Sequence, residues 1–167
     1  MSARFNTLDE WLEWQESLHW TSIDLGLKRL REVAERMQLL TTPFTLITVG
    51  GTNGKGSTVA MLEAILIEEG YRTGSYTSPY LYRYNERIKL SGEDSEDTLI
   101  CAAFEAIDKA READGARGES ISLTYFEFAT LAAIWIFKQK QVQVAIMEVG
   151  MGGRLDAVNL WDADVAI

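Results

Sequence analysis

The sequence predicts a three-layer α/β fold, in which a mostly parallel sheet lies between helices. Runs rich in β-branched residues alternate with runs of helical periodicity. This alternation is typical of parallel strands that are connected by crossover helices. A glycine-rich segment, 50–56, stands between one such strand and the helix after it. A second apolar run, 144–147, ends in the acidic Glu148, as expected at the carboxyl end of a buried central strand.

Capping residues mark where the helices begin. Thr7 and Glu10 have the spacing of a capping box, and Thr124 and Glu127 repeat that spacing before a largely apolar helix. Ser95 is the predicted N-cap of the acidic helix that lies before that last one. With the apolar periodicity, these signals predict helices over 8–19, 23–39, 57–69, 95–113 and 124–138.

Short apolar segments bounded by turn residues predict the strands. They cover 44–49, 72–77, 87–90, 142–149 and 164–167, and 79–86 is predicted to be a loop. Residues 1–40 are therefore expected to form a helical N-terminal segment, and 44–167 the α/β core. Because the last strand is apolar up to the final residue, we expect the chain to be a truncated part of a longer protein.

Composition narrows the class of protein. Of the 167 residues, 47% are hydrophobic and 25% are charged, as in globular proteins. The net charge of −9 argues against nucleic-acid binding. The longest apolar run, seven residues from Leu131 to Phe137, is too short to cross a membrane. One cysteine and one histidine exclude a cysteine-cluster or multi-histidine metal site within the chain, and a cytoplasmic location is expected.

The glycine-rich segment has the character of a phosphate-binding loop. Its glycines allow backbone N–H groups to converge on phosphate oxygens, and the following helix presents its positive end to the same anion. Lys55 is placed to bridge the β- and γ-phosphates of a nucleotide, and the Ser57 hydroxyl to reach Mg²⁺. An ordinary glycine-rich turn with an incidental lysine is the alternative. The loop residues are Gly51, Thr52, Asn53, Gly54, Lys55, Gly56 and Ser57.

Glu148 is the candidate metal ligand from the strand pattern alone. Open α/β sheets bind ligands at the carboxyl ends of their strands, which is where the pattern places this residue. A strand-terminal acid that caps a neighbouring loop is the alternative. Positive charge is also available, because residues 72–90 carry four bases and one acid in an otherwise acidic chain.

Five segments matter together, in order along the chain: 23–27, 51–57, 77–88, 123–128 and 148–159. They resemble the matching segments of the folylpolyglutamate synthases and bifunctional dihydrofolate synthase/folylpolyglutamate synthases of the Mur ligase superfamily. The resemblance covers nearly the whole chain and implies a P-loop-type domain like the central domain of Mur ligases. Members of the family are much longer, so a C-terminal glutamate-binding domain would lie outside this chain.

The resemblance also implies an activity and a site. Enzymes of this family add L-glutamate to dihydropteroate and to reduced folates, using ATP and Mg²⁺, through an acyl-phosphate intermediate. Lys55 and Glu148 would be catalytic, with Ser57, Ser78 and Glu148 as Mg²⁺ ligands. The histidine of a second metal site and a carboxylated lysine would lie beyond Ile167. The implied substrate-binding residues are Leu25, Gly26, Leu27, Arg83, Thr124, Phe126, Arg154 and Asp156.

Phe126 would stack on the pterin ring and Asp156 would accept its N–H groups, although packing in the core is an alternative for Phe126. The full-length enzyme would be a monomer that acts on small molecules, with neither a nucleic acid nor a membrane as partner. Other functions stay open: folylpolyglutamate synthase activity alone, another Mur-type ligase, a P-loop NTPase, or a binding module without catalysis.

Overall fold

The computed structural model describes residues 4–18, 26–112 and 120–167, and its elements follow the predicted order. The described helices are α1 (Leu8–Leu18), α2 (Lys28–Arg36), α3 (Lys55–Glu68), α4 (Asp97–Glu112) and α5 (Tyr125–Gln139). The described strands are β1 (Thr45–Val49), β2 (Thr73–Tyr76), β3 (Ile88–Leu90), β4 (Glu93–Asp94), β5 (Val144–Glu148) and β6 (Val165–Ala166). Two short 3₁₀ helices span Tyr84–Arg87 and Ala157–Leu160.

The strands form one sheet in the order β4-β3-β2-β5-β1-β6. β5 pairs in parallel with both β1 and β2, and β6 extends the parallel part beside β1. β3 and β4 add an antiparallel edge beyond β2. The sheet is therefore mostly parallel, as predicted, and the carboxyl ends of β1, β2 and β5 meet at one end of it.

Each face of the sheet buries its own apolar cluster. Val144 and Ile146 of β5 pack with Val59 of α3 on one face, whereas Ala145 and Met147 belong to the larger core on the other face. This alternation follows from the two-residue period of a strand. The result is the three-layer arrangement that the sequence predicts, with α3 on one side of the sheet and α4 and α5 on the other.

The capping boxes are confirmed. The backbone N–H of Thr7 donates to Glu10 Oε2 at 3.0 Å, and that of Thr124 donates to Glu127 Oε2 at 2.8 Å. α3 begins at Lys55, two positions before the predicted residue 57. The predicted ends of the first helix at 19 and of the fourth at 113 lie outside the described residues. The second helix begins at Lys28 and not at residue 23, because Gly26 and Leu27 are described and lie before its first turn.

The predicted end of the second helix was wrong. α2 stops at Arg36 rather than residue 39, because Gln38 adopts a left-handed backbone with φ of 55°. The backbone N–H of Leu39 then returns to the carbonyl of Ala34 at 2.8 Å, which closes the helix. Leu39 is nevertheless buried in the core, so its apolar character reflects burial and not helical periodicity.

Ser95 was also wrongly predicted as an N-cap. Its backbone N–H donates to the carbonyl of Ile88 at 2.9 Å, so Ser95 continues the β3–β4 edge, and α4 begins only at Asp97. Within the described part of the chain, the buried Ser95 hydroxyl has no hydrogen-bond partner.

Two further elements differ from the prediction. Part of the predicted loop 79–86 forms the first 3₁₀ helix, and β4 was not predicted. No helix among the described residues has the length and apolarity that a bilayer span requires.

Candidate functional site

The glycine-rich loop connects the end of β1 to the start of α3. Gly51 has φ of 136° and Gly54, the residue before α3, has φ of 79°, both in the range that favours glycine. The hydroxyl and the backbone N–H of Thr58 both donate to the Gly54 carbonyl, at 3.0 and 2.9 Å. These contacts fix the first turn, so the positive end of α3 lies beside the loop.

Lys55 folds back over this loop. Its Nζ donates to the carbonyl of Gly51 at 3.0 Å, which places a cation against the loop backbone. Thr52, Asn53 and Ser57 are exposed, so their side chains are accessible to a ligand. The loop therefore combines glycine backbone, a lysine ammonium and a helix N-terminus, three features that favour a phosphate group.

Glu148 ends β5 and lies beside the loop. Strand alternation turns its side chain to the α3 face, the face of Val144 and Ile146, and only 5% of Glu148 is exposed. Its Oε2 accepts a hydrogen bond from the backbone N–H of Ser78 at 2.9 Å. A Cβ atom placed on Gly56 would lie 4.0 Å from each carboxylate oxygen. The carboxylate therefore faces the N-terminus of α3.

A cleft of about 260 Å³ opens at this point between α3 and the sheet. Gly56, Ser78 and Glu148 line it, together with the buried Glu63 and the half-buried Lys89. The structure thus brings together two of the three residues expected as metal ligands, Ser78 and Glu148, beside Gly56 of the glycine loop. Lys55 and Ser57, which flank Gly56 in the chain, are not among the residues that line this cleft.

The donor chemistry of this cleft suits a hard divalent cation. The described residues contain no cluster of three or more His, Cys, Asp or Glu side chains that could hold a metal ion alone. One carboxylate, serine hydroxyls and the oxygens of a phosphate or water would complete an oxygen-only coordination sphere, as Mg²⁺ prefers. Glu148 keeps free lone pairs for such an ion, because the Ser78 N–H occupies only one side of its carboxylate.

A second group of predicted residues lies around Gly150, just after β5. A Cβ atom on Gly150 would be 2.4 Å from Cζ of Phe126, so the ring of Phe126 packs directly on this glycine. Phe126 is half-buried and its ring centroid is 5.9 Å from that of Tyr76. The ring therefore packs against the core, while part of it stays accessible to a ligand.

Asp156 has a structural role that the sequence did not reveal. Its Oδ2 accepts from the backbone N–H of Met151 at 2.8 Å, and its Oδ1 from that of Val158 at 2.9 Å. Burial raises the pKa of the Asp156 carboxyl above its ordinary value, and these backbone N–H groups oppose the increase. The carboxylate therefore holds the turn that follows Gly150 and caps the second 3₁₀ helix.

The other predicted substrate residues are spread more widely. Thr124 is buried, and its hydroxyl accepts from Glu127 N at 3.2 Å as the N-cap of α5. Arg83 is exposed and lies 3.7 Å from Asp97. Gly26 and Leu27 lie at the start of α2, Arg154 is exposed in the turn after Gly150, and Leu25 lies outside the described residues.

Glu86 is a residue of this region that sequence reasoning missed. Its carboxylate accepts from three successive backbone N–H groups, those of Leu81, Tyr82 and Arg83, at 2.8 to 2.9 Å. These hydrogen bonds lower the pKa of the Glu86 carboxyl, and the bond from Leu81 has the largest effect. The sequence offers only a partial signal, because Glu86 stands at N3 of this 3₁₀ helix whereas Arg83 at the N-cap is not a capping residue type.

Comparison with known proteins connects this geometry to characterised relatives. No protein-family model matches the chain. The dihydrofolate synthase/folylpolyglutamate synthase of Escherichia coli (strain K12) is 49% identical over 160 residues, which cover 96% of this chain and 36% of the relative. The structure of E. coli FolC in complex with DHPP and ADP matches with a TM-score of 0.90 and 48% identity, over 99% of this chain and 38% of that one.

A third match is a bifunctional folylpolyglutamate synthase/dihydrofolate synthase with Mn, AMPPNP and L-glutamate bound. Its TM-score is 0.86 at 47% identity, and the match covers 99% of this chain and 38% of that one. The chain therefore spans little more than a third of the length of the relatives that it matches.

Proposed function

Because this chain belongs by sequence and fold to the dihydrofolate synthase/folylpolyglutamate synthase family, we propose that it is the ATP- and metal-binding part of a folate ligase. The complete enzyme would add L-glutamate to dihydropteroate and to reduced folates. The observation that carries this proposal is the position of Glu148, whose carboxylate faces the start of α3 beside the glycine loop. A loop that binds phosphate and an acid that binds a cation are what nucleotide-dependent ligation needs at one place.

The glycine loop, 51–57, would hold the triphosphate of ATP, with Lys55 against its β- and γ-phosphates. Ser57, Ser78 and Glu148 would hold Mg²⁺, which supplies positive charge to the transferred phosphoryl group when it is bound. The substrate carboxylate then attacks the γ-phosphorus, ADP leaves, and an acyl phosphate forms. The amino group of glutamate attacks the acyl carbon, loses a proton, and displaces phosphate to give the amide.

Charge is the main obstacle to the first step. The attacking carboxylate and the γ-phosphate are both anions, and two unit charges 4 Å apart repel by about 4 kcal/mol at an effective dielectric constant near 20. Lys55 and the positive end of α3 would offset this repulsion at fixed positions. Lys89 also lines the cleft with Glu148, although its ammonium lies 3.5 Å from Asp94.

The substrate would bind on the side of Phe126. The accessible part of that ring would stack on the pterin, beside the turn that Asp156 holds, with Thr124 at the start of the same helix. Leu25, Gly26 and Leu27 would complete this pocket, and Arg83 and Arg154 would meet the anionic parts of the folate. Residues 1–40 and 44–167 would form the helical segment and the core of one ATP-binding domain.

The glutamate-binding domain would lie outside this chain. The complete enzyme would be a cytoplasmic monomer, and the 167 residues alone would bind nucleotide weakly and catalyse no ligation. Formation of an ATP- and glutamate-dependent product by the isolated chain would contradict this last expectation.

The test is ADP release by the complete protein with each substrate omitted in turn. We expect release that requires both L-glutamate and dihydropteroate or a reduced folate. Hydrolysis that is indifferent to both would instead identify a P-loop NTPase, and turnover of UDP-linked muramyl substrates another Mur-type ligase. Turnover with reduced folates alone would restrict the activity to folylpolyglutamate synthesis, and folate binding without turnover would indicate a non-catalytic module.

A further inference from the structure

Arg87 is a buried cation whose environment neither the motif nor the proposed reaction explains. Only 8% of the residue is exposed, and its Nε and Nη1 atoms have no hydrogen-bond partner in the described part of the chain. The guanidinium carbon lies 5.0 Å from the ring centroid of Tyr80 and 5.6 Å from those of Tyr84 and Tyr125. Aromatic faces attract cations, so these rings compensate for the missing hydrogen bonds.

This burial separates Arg87 from the substrate. Its Nε and Nη1 atoms are shielded from solvent, and Arg87 is not among the residues that line the cleft with Glu148. A guanidinium enclosed in this way acts through the protein groups around it.

Arg87 is linked to the metal side of the cleft at two points. Its carbonyl accepts from the backbone N–H of Thr77 at 3.0 Å, and Thr77 directly precedes Ser78, whose own N–H binds Glu148. Its guanidinium lies against Tyr80, two residues after Ser78. The segment that carries Ser78 is thus attached to Arg87 on both sides.

The rest of that loop has a separate anchor. Glu86 binds the N–H groups of Leu81, Tyr82 and Arg83, so it does not hold the segment from Thr77 to Tyr80. In that segment Arg87 contacts both Thr77 and Tyr80, and Ser78 between them is bound to Glu148. On its other side the guanidinium contacts Tyr125, the first residue of α5, so the anchor is tied to the core.

We propose that Arg87 is a positioning residue that holds Ser78 opposite Glu148 in the geometry needed to bind the divalent cation. This inference rests on the proposed function, because it takes Ser78 and Glu148 as the cation ligands. In metal sites, residues that contact the ligands but not the metal fix the orientation of the ligands. Arg87, enclosed by tyrosines, would have this role for Ser78.

The test measures ATP turnover by the complete protein as Mg²⁺ is varied at saturating substrates. Arg87→Met should raise the Mg²⁺ concentration for half-maximal turnover by about tenfold or more, the usual effect of removing a group behind a metal ligand. The KM for L-glutamate should stay unchanged, because that substrate binds elsewhere. Arg87→Lys keeps a cation under Tyr80 and should recover part of the loss.

Arg111 supplies the matched control. It is also a buried arginine stacked on an aromatic ring, 4.9 Å from the Trp14 centroid, but it lies in α4 and pairs with Asp108 at 2.7 Å. Arg111→Met should lower stability and leave the Mg²⁺ dependence unchanged. An equal shift in Arg111→Met and Arg87→Met would show a general effect of destabilisation and would overturn the proposal.

A second pair of variants decides the question if Arg87→Met does not fold. Tyr80 is 37% exposed, so Tyr80→Leu removes the stacked ring without opening a cavity in the core. It should raise the Mg²⁺ requirement, whereas Tyr80→Phe, which keeps the ring, should not. An unchanged Mg²⁺ requirement in folded Arg87→Met or in Tyr80→Leu would refute the positioning role. Absence of Mg²⁺-dependent turnover in the unmodified protein would instead refute the proposed function itself.

Discussion

The Glu148 carboxylate accepts a hydrogen bond from the backbone N–H of Ser78 at 2.9 Å, across the ends of two neighbouring parallel strands. Ser78 follows β2 and Glu148 ends β5, so the pairing of the two strands sets the distance between these residues. The bond leaves the carboxylate directed at the first turn of α3. The sheet edge itself therefore assembles the candidate cation site.

Glu148→Gln is the most direct test of that site. The amide retains an acceptor for the Ser78 N–H but removes the negative charge that would bind the cation, so folding should be preserved. Removing a group that only supports a metal ligand costs up to about 100-fold. Because Glu148 would itself be a ligand, we expect Mg²⁺-dependent ATP turnover to fall by at least about that factor. Glu63→Gln, which removes a second buried carboxylate from the same cleft, is the matched control. Equal losses in the two variants would contradict the assignment.

Lys55→Ala tests the phosphate loop. The ammonium lies over the Gly51 carbonyl, and its loss would remove the cation expected at the β- and γ-phosphates. Turnover of ATP should fall by at least about 100-fold, as for removal of one charge-stabilising donor from an active site. Lys109→Ala, an exposed lysine of α4 paired with Glu105, should retain normal activity. Wild-type turnover in Lys55→Ala would remove the loop assignment.

Gly150→Ala tests whether Phe126 shapes the substrate site. The added Cβ would be 2.4 Å from Phe126 Cζ, so either the ring or the turn must move. The KM for dihydropteroate should rise by at least about tenfold, since small displacements of binding groups have large effects on a positioned substrate. Gly153→Ala is the control, because its Cβ would meet no atom within 4 Å. A KM that is unchanged in both variants would place the pterin elsewhere.

The sequence predicted the framework of this site because its signals are local. The alternation of strands and helices defines the sheet, and an acid at the end of an apolar strand must lie at the same edge as a loop at the end of another. Both Glu148 and the glycine loop follow from that rule. Thr124 and Thr7 were likewise identifiable as caps, since the capping box is a four-residue pattern.

Features that depend on tertiary contacts could not be predicted. Tyr80 and Tyr84 precede Arg87 in one segment, but Tyr125 comes from the start of α5, and no spacing in the sequence indicates that it meets them. Asp156 resembles a ligand-binding carboxylate in sequence, whereas the fold occupies both of its oxygens with backbone N–H groups. Ser95 has the residue type of an N-cap, but its backbone is committed to the β3–β4 edge.

Tyr84 combines two unfavourable features, which together predict how stability depends on pH. Its hydroxyl is buried without a hydrogen-bond partner in the described part of the chain, and burial raises its pKa well above the ordinary value. Burial likewise raises the pKa of Tyr76 from 10.0 to about 12. Near neutral pH, Tyr84→Phe should increase the free energy of unfolding by about 1 kcal/mol, because it removes an unsatisfied polar group.

At alkaline pH the free energy of unfolding of Tyr84→Phe should exceed that of the wild type by a larger margin. An unfolded tyrosine loses its proton near pH 10, whereas the buried ones retain it, so the folded state binds more protons and stability falls as pH rises from about 10 to about 12. Tyr84→Phe removes one of these groups and should make that fall shallower in urea unfolding followed by circular dichroism. Tyr71→Phe, which removes an exposed hydroxyl, should reproduce the wild-type curve. Parallel pH curves for Tyr84→Phe and the wild type would show that the Tyr84 hydroxyl ionises equally in both states, contrary to its burial.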